Sequence, residues 1–363
     1  VQIFSGMGKS TEISIGATRV QGPDKLFCGR GGSRRLATEA GLCRFFRTTQ
    51  HLNTMAIAIL RNDHLIDRWK MAIQRVAPDI PVYGMEEEVP AEAIEMAAVW
   101  KHPPGSLSSF RNLKGIHCLG AGVDFILEDE SIPETLPVMR VVDPFLASDM
   151  AEYVLAQVMA YLKDLHLYKQ DQGSGNWNPR PYRRVGDVTV GIMGLGTLGQ
   201  AVADLLAAAG FSMVGWTRAS DPAVDFPTFR GAGEKKPFLE QADILVCLLP
   251  LTPDTRGILD YELFSGLPQG ALLINVARGP LLVDEDLIRA LEAGLLSGAC
   301  LDVFHTEPLP AAHPFWNHPG VHITPHVASV SDPDSVAPQI VDNYRRLIGG
   351  KPLKNEVFRE RGY

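Results

Sequence analysis

The chain has 363 residues, 45% hydrophobic and 21% charged, which is the composition of an ordinary globular protein with room for two sizeable cores. A formal net charge of -8 argues against a nucleic-acid-binding surface as the main function. No apolar run reaches the ~18 residues of a membrane span.

Residues 1–54 stand apart from the rest. They carry eight Lys/Arg against three Asp/Glu and show little apolar periodicity. Ser5 to Thr11 resembles the end of a phosphate-binding loop, but Ile3 stands where that loop needs glycine and no strand precedes it, so the match is set aside. The segment reads as a disordered, non-structural extension, or alternatively as an organelle transit segment.

From Met55 short apolar strands alternate with helical patterns. Strands are expected at 56–60, 82–83, 97–100, 116–119 and 139–142, a small α/β unit of its own. Gly120-Ala121-Gly122-Val123-Asp124 is a Gly-rich turn whose N–H groups could face an anion; taken alone it reads equally well as a plain turn. Ser148 or Asp149 is expected to cap a helix running to about Tyr168. A loop at 173–181 then leads into the second half. Cys118, Cys247 and Cys300 lie in strand-like runs and are expected to be buried thiols in a reducing compartment, the cytoplasm. Five widely spaced cysteines form no disulfide or metal-ligand pattern, so no metal site is expected.

The second half is organised around 187–215. Val188, Val190, Ile192 and Met193 make a strand-length apolar run. Gly194-Leu195-Gly196-Thr197-Leu198-Gly199 follows directly, and Leu198, Ala201, Val202, Leu205 and Leu206 then recur at helical spacing up to Gly210. A lone G-x-G-x-x-G is weak evidence, but between a strand and an amphipathic helix it is the dinucleotide fingerprint. Gly194 makes the turn, Gly196 lets backbone approach a pyrophosphate, and Gly199 permits close packing. The helix start at Thr197 and Leu198 offers its N–H groups to the phosphates. Further strands are expected at 244–249, 271–276, 298–303 and 321–324, with helices near 259–265 and 284–293. This is a doubly wound parallel sheet.

Ligands of such sheets bind outside the carboxyl ends of the strands. Three strand ends deliver Arg278, Glu307 and His326 to that edge. Each has an ordinary explanation as a surface or loop residue; their joint placement favours chemistry. They suit hydride transfer to a 2-oxo acid: a histidine to protonate the developing alkoxide, a carboxylate to orient it, and a guanidinium to grip the substrate carboxylate.

The motifs GLGTLG (194–199), LLPLTPDTRGIL (248–259), NVARGPLLVDEDL (275–287), LDVFHTEPLP (301–310) and TPHVAS (324–329) resemble those of the D-isomer-specific 2-hydroxyacid dehydrogenases. LGAGVD (119–124), VWKHPP (99–104) and the terminal RGY point to the glyoxylate/hydroxypyruvate reductase A subgroup. The resemblance covers 55–363 and none of the leader. It implies two Rossmann-like doubly wound α/β domains, with a dinucleotide-binding domain (153–326) inserted in a discontinuous substrate domain (55–152 plus 327–363). It also implies a homodimer joined partly through the helix near Ser148. By motif position Arg278 orients substrate, Glu307 pairs with His326, and His326 is the acid/base. Ala121 and Gly122 grip the substrate carboxylate and Trp100 walls the pocket. Cofactor contacts fall at the glycine loop, Thr217, Arg218, Ser220, Pro250 and Asp302.

An NAD-preferring fold ends its second strand with an acid for the ribose hydroxyls. Here Thr217 stands in that place and Arg218 follows, which favours NADPH over NADH. Glyoxylate and hydroxypyruvate are the expected substrates; larger 2-oxo acids, or a non-catalytic nicotinamide sensor on the same fold, are the alternatives. Since 1–54 supplies no element the fold needs, a chain starting at Met55 is expected to fold and turn over like the full chain. A large drop in Tm on removing the leader would show otherwise.

Overall fold

A computed structural model describes residues 55–218 and 222–362. The leader and Ser220 therefore lie outside the described residues. The first sheet is built from β1 (Ala56–Arg61), β2 (Val82–Gly84), β3 (Ile94–Trp100), β4 (Gly115–Cys118) and β5 (Val138–Met139), in the order β2-β1-β3-β4-β5 and parallel throughout. Both faces are covered, so its strands are near-continuous apolar runs rather than alternating ones. Ile57, Ile59, Met96 and Ala98 pack under α1 (Ile66–Val76) and α9 (Pro333–Ile348). Ala58, Leu60, Ala97 and Val99 face Leu107 and Ile126 on the other side, the latter from α2 (Asp124–Leu127).

The expected strand at 139–142 ends early, at Met139. Arg140 N donates to Asn355 O and Val141 N to Gly120 O, so the chain leaves the sheet to pair with the C-terminal segment and the Gly120 turn. The following helix also differs from expectation. Ser148 and Asp149 lie inside α3 (Pro144–Leu162), whose cap is Asp143, accepting from Phe145 N at 3.1 Å, with Pro144 at the first helical position. Asp164, with φ +53, then breaks the path before α4 (Leu165–Ser174). Leu146 packs in the first core; Met150, Ala151, Val154 and Val158 pack in the second.

The second sheet comprises β6 (Thr189–Met193), β7 (Ser212–Thr217), β8 (Thr228–Arg230), β9 (Ile244–Cys247), β10 (Ala271–Asn275), β11 (Leu296–Leu301) and β12 (Val321–Ile323). Its order is β12-β11-β10-β9-β6-β7-β8, again all parallel. Val190 and Ile192 pack with α3 and with Val202 and Leu206 of α5 (Thr197–Ala208). The opposite face buries Phe238 from α6 (Lys235–Leu239), Leu263 and Phe264 from α7 (Tyr261–Ser265), and Leu287 from α8 (Asp284–Glu292). The strand order reverses between β6 and β9, which puts the glycine loop at the switch point where such sheets hold ligands. Cys118, Cys247 and Cys300 are buried as expected, and burial pushes their thiols up to about 12. No helix among the described residues is long and apolar enough to cross a membrane.

Candidate active site

The carboxyl ends of both sheets face one cleft of about 980 Å³. From the second sheet come Gly194, Gly196, Thr197, Leu198 and Gly199 after β6, and Thr217 and Arg218 at the end of β7. Pro250 follows β9, Arg278 follows β10, Asp302 and Glu307 follow β11, and His326 follows β12. From the first sheet come Trp100, Ala121 and Gly122. Every described residue expected at the site therefore lines the same cavity.

The glycine loop is sterically fixed. Gly194 has φ +102 and its N–H donates to Trp216 O at 2.9 Å. A Cβ on Gly199 would overlap the Gly194 carbonyl oxygen, whereas one on Gly196 would meet only open space. No side chain caps α5; Gln200 is the first residue whose N–H bonds back, to Gly196 O at 2.9 Å. The N–H groups of Thr197, Leu198 and Gly199 thus head a helix dipole at an open, backbone-lined place. Such a place can hold a phosphate.

Glu307 occupies the centre of the opposite end. Its Oε2 accepts from Lys101 Nζ at 2.6 Å and lies 2.8 Å from His326 Nδ1, while Oε1 accepts from Phe304 N at 3.0 Å. Burial alone would raise the Glu307 pKa, but the hydrogen bonds from His326 and Lys101 outweigh it and bring the carboxyl to about 2. His326 itself sits at φ +55, an unfavourable backbone for a residue with a Cβ. Asp302, 1% exposed, holds that turn: its carbonyl accepts from His326 N at 2.8 Å, and its carboxylate accepts from Thr324 Oγ1 (2.6 Å), Val327 N and Ala328 N (both 2.9 Å). Both Asp302 carboxylate oxygens are thereby committed to the His326 turn, and its expected cofactor contact has to share them. Tyr153 of α3 extends the chain of contacts, 2.6 Å from Thr324 Oγ1.

Arg278 reaches across to the first sheet. Its Nε donates to Asp124 Oδ1 at 2.8 Å and Nη1 to Ala277 O at 2.7 Å, and a Cβ on Gly122 would overlap Nη2. Buried Asn275 sets the turn, donating to Arg278 O at 3.1 Å and accepting from Ala277 N at 3.2 Å. Trp100 stands edge-on to Phe125 and His326, with ring centroids 5.6 and 6.3 Å away, and packs over Gly120 where a Cβ would overlap its ring. Arg218, at the cofactor edge, pairs with Asp254 at 2.8 Å.

Lys101 and Asp124 were outside the residues expected at the site. Both lie within quoted motifs, VWKHPP and LGAGVD, yet their roles depend on partners 206 and 154 residues away in sequence, a separation that no local pattern reports. Lys101 has φ +47, which turns it out of β3 toward Glu307.

Comparisons with known proteins show what the chain is similar to. Residues 155–328 match the family described as D-isomer specific 2-hydroxyacid dehydrogenase, NAD binding domain. The chain is 40% identical over 292 residues to glyoxylate/hydroxypyruvate reductase A of Serratia proteamaculans, covering 78% of this chain and 92% of that protein. A D-isomer specific 2-hydroxyacid dehydrogenase of Xanthobacter autotrophicus, solved in complex with NADPH and MES, superposes with TM-score 0.81 at 38% identity, covering 85% of this chain and 100% of the other. An NADPH-dependent glyoxylate/hydroxypyruvate reductase of Sinorhizobium meliloti, solved with NADP and sulfate, gives TM-score 0.80 at 34% identity, with the same coverage of 85% and 100%.

The low Glu307 value makes a prediction about acid stability. A carboxyl whose pKa is depressed on folding stabilises the fold above its ordinary value of 4.5, and that contribution is lost as pH falls toward about 2. The destabilisation of Glu307→Gln relative to the parent should therefore shrink as pH falls below 4.5. Denaturant titrations across that range check this; a difference independent of pH would mean the carboxylate is not held by its cations.

Proposed function

The chain belongs to the D-isomer specific 2-hydroxyacid dehydrogenase family, and on that premise we propose that it reduces small 2-oxo acids such as glyoxylate and hydroxypyruvate with NADPH. The observation that carries the reading is the His326–Glu307 pair at 2.8 Å, set in one cleft with Arg278 and the glycine loop.

The nicotinamide, when bound, supplies the hydride. The chain's own residues do the rest. The α5 N-terminus and Gly196 receive the pyrophosphate. Thr217 leaves out the carboxylate that would repel a 2′-phosphate, and Arg218 supplies a guanidinium for it. With Nδ1 turned to Glu307, His326 has Nε2 for delivering a proton to the oxygen of the reduced carbonyl. Arg278 polarises that carbonyl. Asp302 keeps His326 in its left-handed turn, so the imidazole need not find its position at each turnover. The homodimer is part of the same proposal: α4 buries none of its residues, and Leu165 (55% exposed), Trp177 (97%) and Tyr182 (67%) around it offer apolar surface to a second copy.

NADPH oxidation measured with glyoxylate, hydroxypyruvate, pyruvate and bulkier 2-oxo acids tests the reading; cofactor binding with turnover of none of them would overturn it. His326→Ala should cost on the order of 10²–10⁴ in rate. Glu307→Gln removes the charged hydrogen-bond partner that orients the His326 ring and should lower the rate while leaving cofactor affinity unchanged. A rate equal to the parent's would break the pairing.

The cofactor choice has its own test. Arg218→Ala should weaken NADPH by roughly 1.5–3 kcal/mol, the scale of a charge-assisted contact, and leave NADH nearly untouched. Asp254→Ala frees Arg218 of its partner and should tighten NADPH alone. Equal changes for both cofactors, read by fluorescence titration, would remove Arg218 from the 2′-phosphate site.

A further inference from the structure

Five permanently cationic side chains line the cleft: Arg61, Lys101, Arg140, Arg218 and Arg278. Four of them hold carboxylates of the chain itself. Arg61 pairs with Asp63 at 2.6 Å, Lys101 with Glu307 at 2.6 Å, Arg218 with Asp254 at 2.8 Å and Arg278 with Asp124 at 2.8 Å. Arg140 is the exception: among the described residues no carboxylate reaches it. Its side chain is half-buried, and burial holds the guanidinium below the usual arginine range. A half-buried guanidinium without a counter-charge is destabilising unless something supplies an anion.

The backbone shows where this charge sits. Arg140 follows β5, its N–H bonded to Asn355 O at 3.0 Å and its carbonyl accepting from Gln339 Nε2 at 2.8 Å. Met139 and Val141 on either side are buried in the core under α1 and α9, so the side chain between them points the other way. Val141 N donates to Gly120 O at 3.0 Å, which places Arg140 at the root of the Gly120–Gly122 turn. Arg278 reaches the same turn, where a Cβ on Gly122 would overlap its Nη2.

We propose that Arg140 binds the carboxylate of the 2-oxo acid together with the backbone of the Gly120–Gly122 turn, leaving Arg278 to polarise the carbonyl that is reduced. This rests on the reductase reading above and divides its labour between two cations. Arg278 is already partly committed: its Nε and Nη1 donate to Asp124 and Ala277 O, which leaves it Nη2 and one Nη1 proton. Arg140 has its whole guanidinium to give.

The test is a split between KM and kcat. In Arg140→Met the KM for glyoxylate should rise about tenfold to a hundredfold, the worth of one charge-assisted contact, while kcat changes less than threefold. NADPH affinity should stay at the parent value. Inhibition by oxamate, a carboxylate-bearing isostere of a 2-oxo acid, should weaken by the same factor as KM, and Arg140→Lys should recover part of both. A glyoxylate KM within twofold of the parent, with NADPH affinity intact, overturns the proposal and leaves the reductase reading standing. A parent chain that turns over no 2-oxo acid overturns the reading and the proposal with it. Should the variants not fold, the unaltered protein gives the answer through phenylglyoxal, which labels arginine. With NADPH present, oxamate should slow labelling of Arg140 severalfold, as read by peptide mapping; equal labelling with and without saturating oxamate overturns the assignment.

Discussion

The Glu307 carboxylate is the contact on which the site depends. One of its oxygens takes hydrogen bonds from Lys101 on the first sheet and His326 on the second, and the other ties down the loop that carries it. A carboxylate that is mostly buried stays ionised only if such partners outweigh its desolvation, and here they do. The same contact therefore sets the charge state beside the imidazole, the ring's orientation, and the alignment of the two sheet edges. Arg278 on Asp124 repeats the arrangement with the polarity reversed, the cation coming from the second sheet. Two ion pairs that cross the cleft in opposite senses fix its walls more specifically than either would alone.

Topology explains why these groups meet. In a parallel sheet every strand ends on the same edge, so residues far apart in sequence arrive together once the strands are in order. Arg278, Glu307 and His326 leave β10, β11 and β12, three neighbours in the second sheet, while the glycine loop leaves β6 at the point where strand order reverses. Gly279 allows two of these exits to touch, since a Cβ there would overlap the Phe304 backbone. The distances at the site follow from sheet register plus a few steric exceptions, and need no special device.

Much of this was legible in the sequence, for identifiable reasons. The glycine loop and its flanking strand and helix are written in local spacing, and the structure shows Gly194 at the turn and Gly199 in the close packing that spacing suggests. The strand-end residues were legible because the edge rule converts sequence position into spatial position. Other features were written locally but outcompeted. Ser148 and Asp149 look like a cap, yet Asp143-Pro144 five residues earlier is the better start and the apolar stripe continues back to Leu146. Asp332 and Pro333 likewise open α9, whose Val336, Ile340 and Tyr344 close the first core; no helix was expected there. What no local pattern carries is charge pairing at long range. Lys101 with Glu307, Arg278 with Asp124 and Arg218 with Asp254 are set by how the loops fold over the edge.

These pairings bear on what ligand binding can gain. An anion arriving at Arg218 or Arg278 has to displace or share a carboxylate partner, so the net benefit is the difference between the two contacts; at the exposed Arg218–Asp254 pair the contact given up is a weak one. Such sites select by geometry: a 2′-phosphate or a polarised carbonyl must fit better than Asp254 or Asp124 to displace or share with it. Arg140 has no such competitor among the described residues, so an anion there gains the whole contact and relieves a buried charge besides. Affinity and polarisation then fall to different guanidinium groups. The division is chemically reasonable, because a cation that grips the carboxylate equally in ground and transition states raises affinity without accelerating the reduction. The cation that does accelerate it is the one whose contact strengthens as charge develops on the carbonyl oxygen.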